Sequence, residues 1–203
     1  MIIKVCGMRD PENISQLEQL DIDWMGFIFY SKSPRYVGQK LKYLPSKIKK
    51  IGVFVDQIPQ IIYERSGENH LDAIQLHGSE PPWYCINLKQ DGFKVIKSFG
   101  IEENGFIPKA QLNAYEGKCD YYLFDTKTPV KGGSGKKFNW QMLNDYEGET
   151  PFIISGGISL NDVSEIKKIT HPKFAGVDIN SRFELSPAIK DIELISQFVD
   201  KIR

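Results

Sequence analysis

Eight short apolar runs, spaced along the whole chain, limit the folds open to it more than any other feature. They are IIKVC (2–6), MGFIF (25–29), IGVFV (51–55), DAIQL (72–76), FKVIKSF (93–99), YYLF (121–124), FIIS (152–155) and FAGVDI (174–179). Most are continuously hydrophobic rather than alternating. A strand with one wet face alternates; a strand covered on both faces, as in a parallel sheet, has no polar face to supply.

Segments with helical spacing lie between the runs. Asp10-Pro11 places an N-cap before a proline at the first helical position, and Ile14, Leu17 and Leu20 then form a stripe. Asp56 is expected to cap a segment carrying Ile58, Ile61 and Ile62. Ser79-Glu80-Pro81-Pro82 is expected to open another, with Trp83, Ile86 and Leu88. Ser159 with Asp162 has the form of a capping box, followed by Val163, Ile166 and Ile169. Ile189, Ile192, Ile195, Val199 and Ile202 mark a last amphipathic helix. The region 101–118 holds Gly105, Pro108 and Gly117, so the fifth helix is expected to be short or absent.

One strand–helix unit every ~25 residues predicts an α/β chain folded as a (βα)8 TIM barrel with short loops. A doubly wound open sheet is the alternative. It would more often use fewer strands and a Gly-x-Gly-x-x-Gly turn after the first, where this chain has Cys6-Gly7-Met8. No linker or low-complexity stretch divides the chain, so residues 1–203 are read as a single catalytic domain.

Composition narrows the function. The formal net charge is zero, which gives no bulk attraction to nucleic acid or an anionic membrane. No apolar run has the length of a membrane span, and MIIKVCGMRD lacks the parts of a signal peptide. The three cysteines, Cys6, Cys85 and Cys119, form no Cys-x-x-Cys pair, and a reducing cytoplasm is expected. His70, His77 and His171 lack zinc-site spacing, so no metal is expected.

In a barrel of this kind the chemistry collects at the C-terminal ends of the strands. Those ends are Cys6, Phe29, Val55, His77, Ser98, Asp125, Gly156-Gly157 and Asp178. Cys6 can be a nucleophile or base, or simply a small buried hydrophobe. Asp125 follows four apolar residues and must be solvated, paired or functional. A capping role is unsuited to it, because Pro129 and a glycine-rich stretch follow instead of a helix. His77 reads better as a hydrogen-bonded rim residue than as a catalyst. Three of the five arginines, Arg9, Arg35 and Arg182, fall just after runs one, two and eight. Guanidinium suits carboxylate or phosphate, although chance would also place three arginines there.

Two stretches suit anions. Gly132, Gly133, Ser134 and Gly135, backed by Lys136 and Lys137, form either a loop able to close over substrate or a surface turn. The stretch is not a Walker A loop, since Val130 and Lys137 stand where that motif needs Gly and Ser or Thr. Gly156-Gly157 after run seven, with Asn180 and Ser181 after run eight, are placed as a barrel phosphate site usually is.

Taken together, KVCGM (4–8), GFIFY-x-x-SPRYV (26–37), IQLHG-x-E (74–80), LFDT (123–126), GGSGKKFNW (132–140), ISGGI (154–158) and GVDINSRFE (176–184) resemble the successive motifs of phosphoribosylanthranilate isomerases. The resemblance spans nearly the whole chain in order. It implies an Amadori rearrangement in tryptophan biosynthesis, converting N-(5-phosphoribosyl)anthranilate to 1-(2-carboxyphenylamino)-1-deoxyribulose 5-phosphate without a cofactor. It further implies Cys6 as general base and Asp125 as general acid. Arg35 would hold the anthranilate carboxylate. Gly156, Gly157, Asn180 and Ser181 would hold the phosphate, Gly133 and Ser134 would lie in a closing loop, and Asp178 would stand near the sugar hydroxyls. The chain departs from the common pattern at Ser134 (usually Thr), Asn139 (usually Asp) and Ala188 (commonly Gly). Competing readings are an indole-glycerol-phosphate synthase using Lys4 or Lys97, a metal-dependent pentose-phosphate epimerase, and a non-catalytic sugar-phosphate binder. A monomer is the expected state.

Overall fold

The computed structural model describes residues 1–102, 107–126 and 137–203. Eight strands close into a barrel in sequence order: β1 (Ile2–Cys6), β2 (Trp24–Ile28), β3 (Lys49–Phe54), β4 (Ala73–Leu76), β5 (Lys94–Ile101), β6 (Tyr121–Thr126), β7 (Phe152–Ile154) and β8 (Phe174–Ile179). Every adjacent pair is parallel, and β8 returns to β1 with Lys4 opposite Asp178. All eight apolar runs are therefore barrel strands, and the TIM-barrel expectation holds.

Strand alternation sorts the side chains. On the outer face Ile3, Val5, Met25, Phe27, Ile74 and Leu76 join one large core with the helices. On the inner face Trp24, Ile51, Ala73, Ile96, Leu123 and Ile153 form a separate apolar layer. Further along the same inward faces come Lys4, Cys6, Gln75, Ser98, Asp125 and Asp178. The barrel is thus oily at one level and polar above it, and the polar level opens at the strands' C-terminal ends.

The helices are less regular than the strands. They are α1 (Pro11–Leu17), α2 (Pro59–Asn69), α3 (Pro82–Gln90), α4 (Lys109–Tyr115), α5 (Val163–Ile166) and α6 (Ile192–Ile202). Asp10 caps α1 by accepting from the Asn13 N–H at 2.9 Å, and Asp191 caps α6 in the same way. The helix in the 101–118 region exists but has only seven residues. The Ser159–Asp162 capping box is present, but it opens a 3₁₀ turn and the four residues of α5. Asp56 does not cap α2, which starts at Pro59 after Ile58; its carboxylate accepts from the Ser79 N–H at 2.6 Å. Likewise α3 begins at Pro82, later than Ser79 suggested. Ile189 lies not in the last helix but in a small hairpin, β9 (Glu184–Ser186) with β10 (Ile189–Lys190).

No helix joins β2 to β3. The connection is instead pinned by two side chains. Glu18, at the end of α1, accepts from Tyr43 Oη (2.8 Å), Ser46 N (2.6 Å), Ser46 Oγ (3.2 Å) and Lys47 N (2.8 Å). Asn69, at the end of α2, accepts from Leu41 N at 2.7 Å and donates to Gln39 O at 3.0 Å. Removing Glu18 would leave two backbone N–H groups unpaired. Glu18→Ala is expected to cost about 2–4 kcal/mol, read as a lower urea midpoint with turnover preserved.

Candidate active site

Cys6 is the last residue of β1 and lies 5% exposed, with Gly26 of β2 directly opposite. The pairing requires glycine. A Cβ on Gly26 would lie 2.7 Å from Cys6 Sγ and 3.0 Å from Lys4 Nζ. The same measurement places the thiol and the Lys4 ammonium around one point. Lys4 is fully enclosed and donates to Asp178 Oδ2 at 2.9 Å. Burial works against the Lys4 charge, but Asp178 and Cys6 outweigh it and leave its pKa raised. Burial, and more weakly Asp125, raise the Asp178 pKa above the usual carboxylate range against the opposing pull of Lys4. The short contact to an enclosed ammonium decides the matter, and we read the pair as ionic. Asp178 Oδ1 is buried and has no hydrogen-bond partner among the described residues.

Gly7, next to Cys6, has φ +82°, and a Cβ there would strike Arg35 Cδ at 2.6 Å and Asn180 Oδ1 at 2.9 Å. Thus the chain segments that follow β1, β2 and β8 meet around Gly7, next to the thiol. Arg35 is buried and held by Glu184, with Nε at 2.9 and 3.1 Å and Nη2 at 2.6 Å from the carboxylate. That grip uses one edge of the guanidinium and leaves the Nη1 side as the edge it can present. Glu184 also accepts from the enclosed Lys190 (2.7 Å) and from the Ala188 N–H (3.1 Å). Ala188 holds φ +70°, so it adopts the left-handed backbone that a glycine would take freely. Lys190 also donates to Asn180 Oδ1 at 2.7 Å, so what Asn180 presents is its amide N–H₂. Ser181 opens a 3₁₀ turn beside it.

Burial opposes the Glu184 charge, but Arg35 and Lys190 prevail and hold its carboxyl below the usual range. A carboxyl lowered by folding stabilises fully above its unfolded value of about 4.3, and that stability is lost as pH falls through the lower folded value. Glu184→Gln should therefore be less stable than wild type at pH 7. Urea titrations should show the gap closing as pH drops below about 4.

Asp125 faces this cluster from β6. Its Oδ2 stands 3.4 Å from His77 Nε2. The Gln75 amide donates to Ser98 Oγ at 3.1 Å and lies 3.1 Å from His77 Nδ1, an arrangement that leaves the ring proton on Nε2, toward Asp125. His77 therefore stands beside the Asp125 carboxyl as well as lining the rim. Gly156 has φ +88°, and a Cβ on it would lie 2.6 Å from Thr126 N and 2.8 Å from Asp125 Oδ1. The β7 loop thus lies against the acid. Gly157 also has positive φ, at +68°. The helix behind this loop is one turn long, so any anion held here would rest on backbone N–H groups rather than on a helix dipole.

Other candidates fall away from this centre. Lys137, expected behind the glycine loop, pairs with Asp162 at 2.7 Å. Arg9 is exposed and donates to Pro34 O at 3.2 Å. Lys97 is surrounded by Leu76 O, Gly78 O, Ser98 O and Glu80 Oε2, a clamp on the end of β4 rather than a poised amine. Gly133 and Ser134 lie outside the described residues. Among the described residues no three His, Cys, Asp or Glu side chains converge to hold a metal ion. Asn139 still caps its 3₁₀ helix, accepting from Gln141 N at 3.1 Å.

With this geometry established, comparison with known proteins is decisive. The sequence model of N-(5'phosphoribosyl)anthranilate isomerase matches residues 3–201. The chain belongs to that isomerase family. The N-(5'-phosphoribosyl)anthranilate isomerase of Phocaeicola vulgatus is 47% identical over 203 residues, covering 100% of this chain and 98% of the relative. The crystal structure of the Thermotoga maritima phosphoribosyl anthranilate isomerase superposes with a TM-score of 0.83 at 30% identity, covering 100% of this chain and 98% of that one. A phosphoribosyl anthranilate isomerase in complex with reduced 1-(o-carboxyphenylamino)-1-deoxyribulose 5-phosphate gives a TM-score of 0.78 at 25% identity, with the same coverage.

Glu184 and Lys190 are not evident as site residues in the sequence, and Lys4 enters there only as the lysine of a competing synthase reading. One signal for Lys4 was available: it shares an inward strand face with Cys6, two residues away.

Proposed function

We infer that this chain catalyses the isomerisation of N-(5-phosphoribosyl)anthranilate to 1-(2-carboxyphenylamino)-1-deoxyribulose 5-phosphate, as a step of tryptophan biosynthesis in the cytoplasm. One observation carries the reading: a thiol and a carboxyl, Cys6 and Asp125, face one polar barrel mouth in a chain matched across residues 3–201 by this family. No helix among the described residues is long and apolar enough to cross a membrane. We propose a monomer.

In this reading Asp125 gives its proton to the ribose ring oxygen, and the C1–O bond breaks to leave an iminium ion. His77 keeps the acid aimed. The iminium makes the C2 proton acidic, and the Cys6 thiolate removes it. The electron pair of the C2–H bond becomes the enolamine double bond. Loss of the enol O–H proton and gain of a proton at C1 then give the ketone. Arg35 binds the anthranilate carboxylate through the edge that Glu184 does not occupy. Asp178 Oδ1 accepts from a sugar hydroxyl. Gly156, Gly157, Asn180 and Ser181 hold the phosphate, and Gly133 and Ser134 belong to a loop closing over it.

The test is the loss of fluorescence of N-(5-phosphoribosyl)anthranilate on adding the protein, paired with complementation of a tryptophan auxotroph lacking this isomerase. Failure of both would refute the assignment.

A further inference from the structure

General-base chemistry at Cys6 meets a physical obstacle. A base must be a thiolate, yet Cys6 is almost completely enclosed. Burial raises the Cys6 pKa, and the Asp178 charge adds to the rise. Something in the fold must favour the charged sulfur.

Among the described residues the groups facing it are few. β1 itself supplies Lys4, β8 supplies Asp178, and β2 supplies only Gly26. Lys190 of β10 acts on the sulfur from further away, and Arg35 lies beyond Gly7. Lys190 and Arg35 are both committed to Glu184. Lys4 is committed to one oxygen of Asp178, and its ammonium carries three protons. It is also the cation that shares the space above Gly26 with the sulfur.

Accepting Cys6 as the base, we propose that Lys4 is its positioning residue: a buried ammonium, fixed by Asp178, that holds the Cys6 thiolate as an ion pair at the end of β1. The thiol proton leaves to solvent before substrate binds. The sulfur keeps the electron pair that later takes the C2 proton. Lys4 gives up no proton in the cycle and does not touch the substrate. Asp178 serves both sides, with Oδ2 on the ammonium and Oδ1 turned elsewhere.

Because Lys4→Met alone would strand a buried carboxylate, the test compares Lys4→Met/Asp178→Asn with Asp178→Asn. The first readout is the pH midpoint of Cys6 alkylation by iodoacetamide, located by mass spectrometry on folded protein, with circular dichroism confirming the fold. The expected result is a midpoint at least one pH unit higher in the double variant, with the rising limb of its kcat/KM profile shifted the same way. An unchanged midpoint overturns the proposal. Cys6→Ser supplies the reciprocal measurement with the Lys4–Asp178 pair intact. By nitrogen NMR of labelled lysine, Lys4 should lose its proton at lower pH than in wild type, and an unmoved Lys4 titration overturns the proposal equally. These titrations do not depend on turnover. If Cys6→Ser retained full activity while the midpoints moved, the base assignment would fail and the ion pair would stand.

Discussion

Cys6→Ala is expected to lower kcat by about 10²–10⁴-fold, the usual worth of a positioned acid or base, with KM little changed. The thiol stands at the barrel mouth between Lys4 and Gly26, and the groups proposed to bind substrate are other residues. The proper control is Cys119. It is equally buried, but it precedes β6 at the opposite end of the barrel and donates to Tyr115 O. Cys119→Ser should lower the urea midpoint and leave kcat in place. An isotope effect sharpens the result. With deuterium at the substrate C2, removing the base should make proton abstraction fully rate-limiting and bring out the effect. Full turnover in Cys6→Ala would end the base assignment.

Asp125→Asn should fall by a similar factor, about 10²–10⁴-fold, for the opposite reason. The amide keeps the size of the carboxyl and its place beside His77 and Gly156, but it has no acidic proton for the ring oxygen. Ring opening then limits the rate, so the C2 isotope effect should shrink rather than grow. The two variants thus separate the acid step from the base step. If both showed the same isotope effect, the assigned order of proton transfers would be wrong. His77→Ala, which removes the ring beside Asp125 and its Gln75 contact but leaves the carboxyl, should lose less than either.

The sequence could be read for strands because of where the strands lie. Each is covered on both faces, so Tyr121–Phe124 or Ile51–Val53 leaves an unbroken apolar run. The helices were harder. A capping box at Ser159 and Asp162 announces a helix start but not a length, and here only four α-helical residues follow. Asp56 has the composition of a cap, yet its partner is Ser79, 23 residues away. The site divides in the same way. Cys6 and Asp125 are visible because a strand end is a position that can be counted. The partners Arg35 and Glu184 lie 149 residues apart, and Lys4 and Asp178 lie 174 apart. Closure of β8 onto β1 brings the second pair together, and no local pattern encodes that distance. Lys190 was hidden by a similar error, because Ile189 was read as the start of a helix when it belongs to a hairpin.

The helix-free connection between β2 and β3 has a consequence for how the barrel assembles. A helix can begin to form from its own local bonds. The segment around Leu41–Lys47 has its anchors in Glu18 of the α1 end and Asn69 of the α2 end. Its Leu41, Ser46 and Lys47 amides are therefore paired only while both flanking helices are docked. The β1–β3 portion should behave as one cooperative opening unit, in which exposing the Ser46 and Lys47 amides to exchange means undocking α1 as well. A dependent segment stands where a barrel of this kind would otherwise place a self-supporting helix, and it ties α1 and α2 to the same local unit.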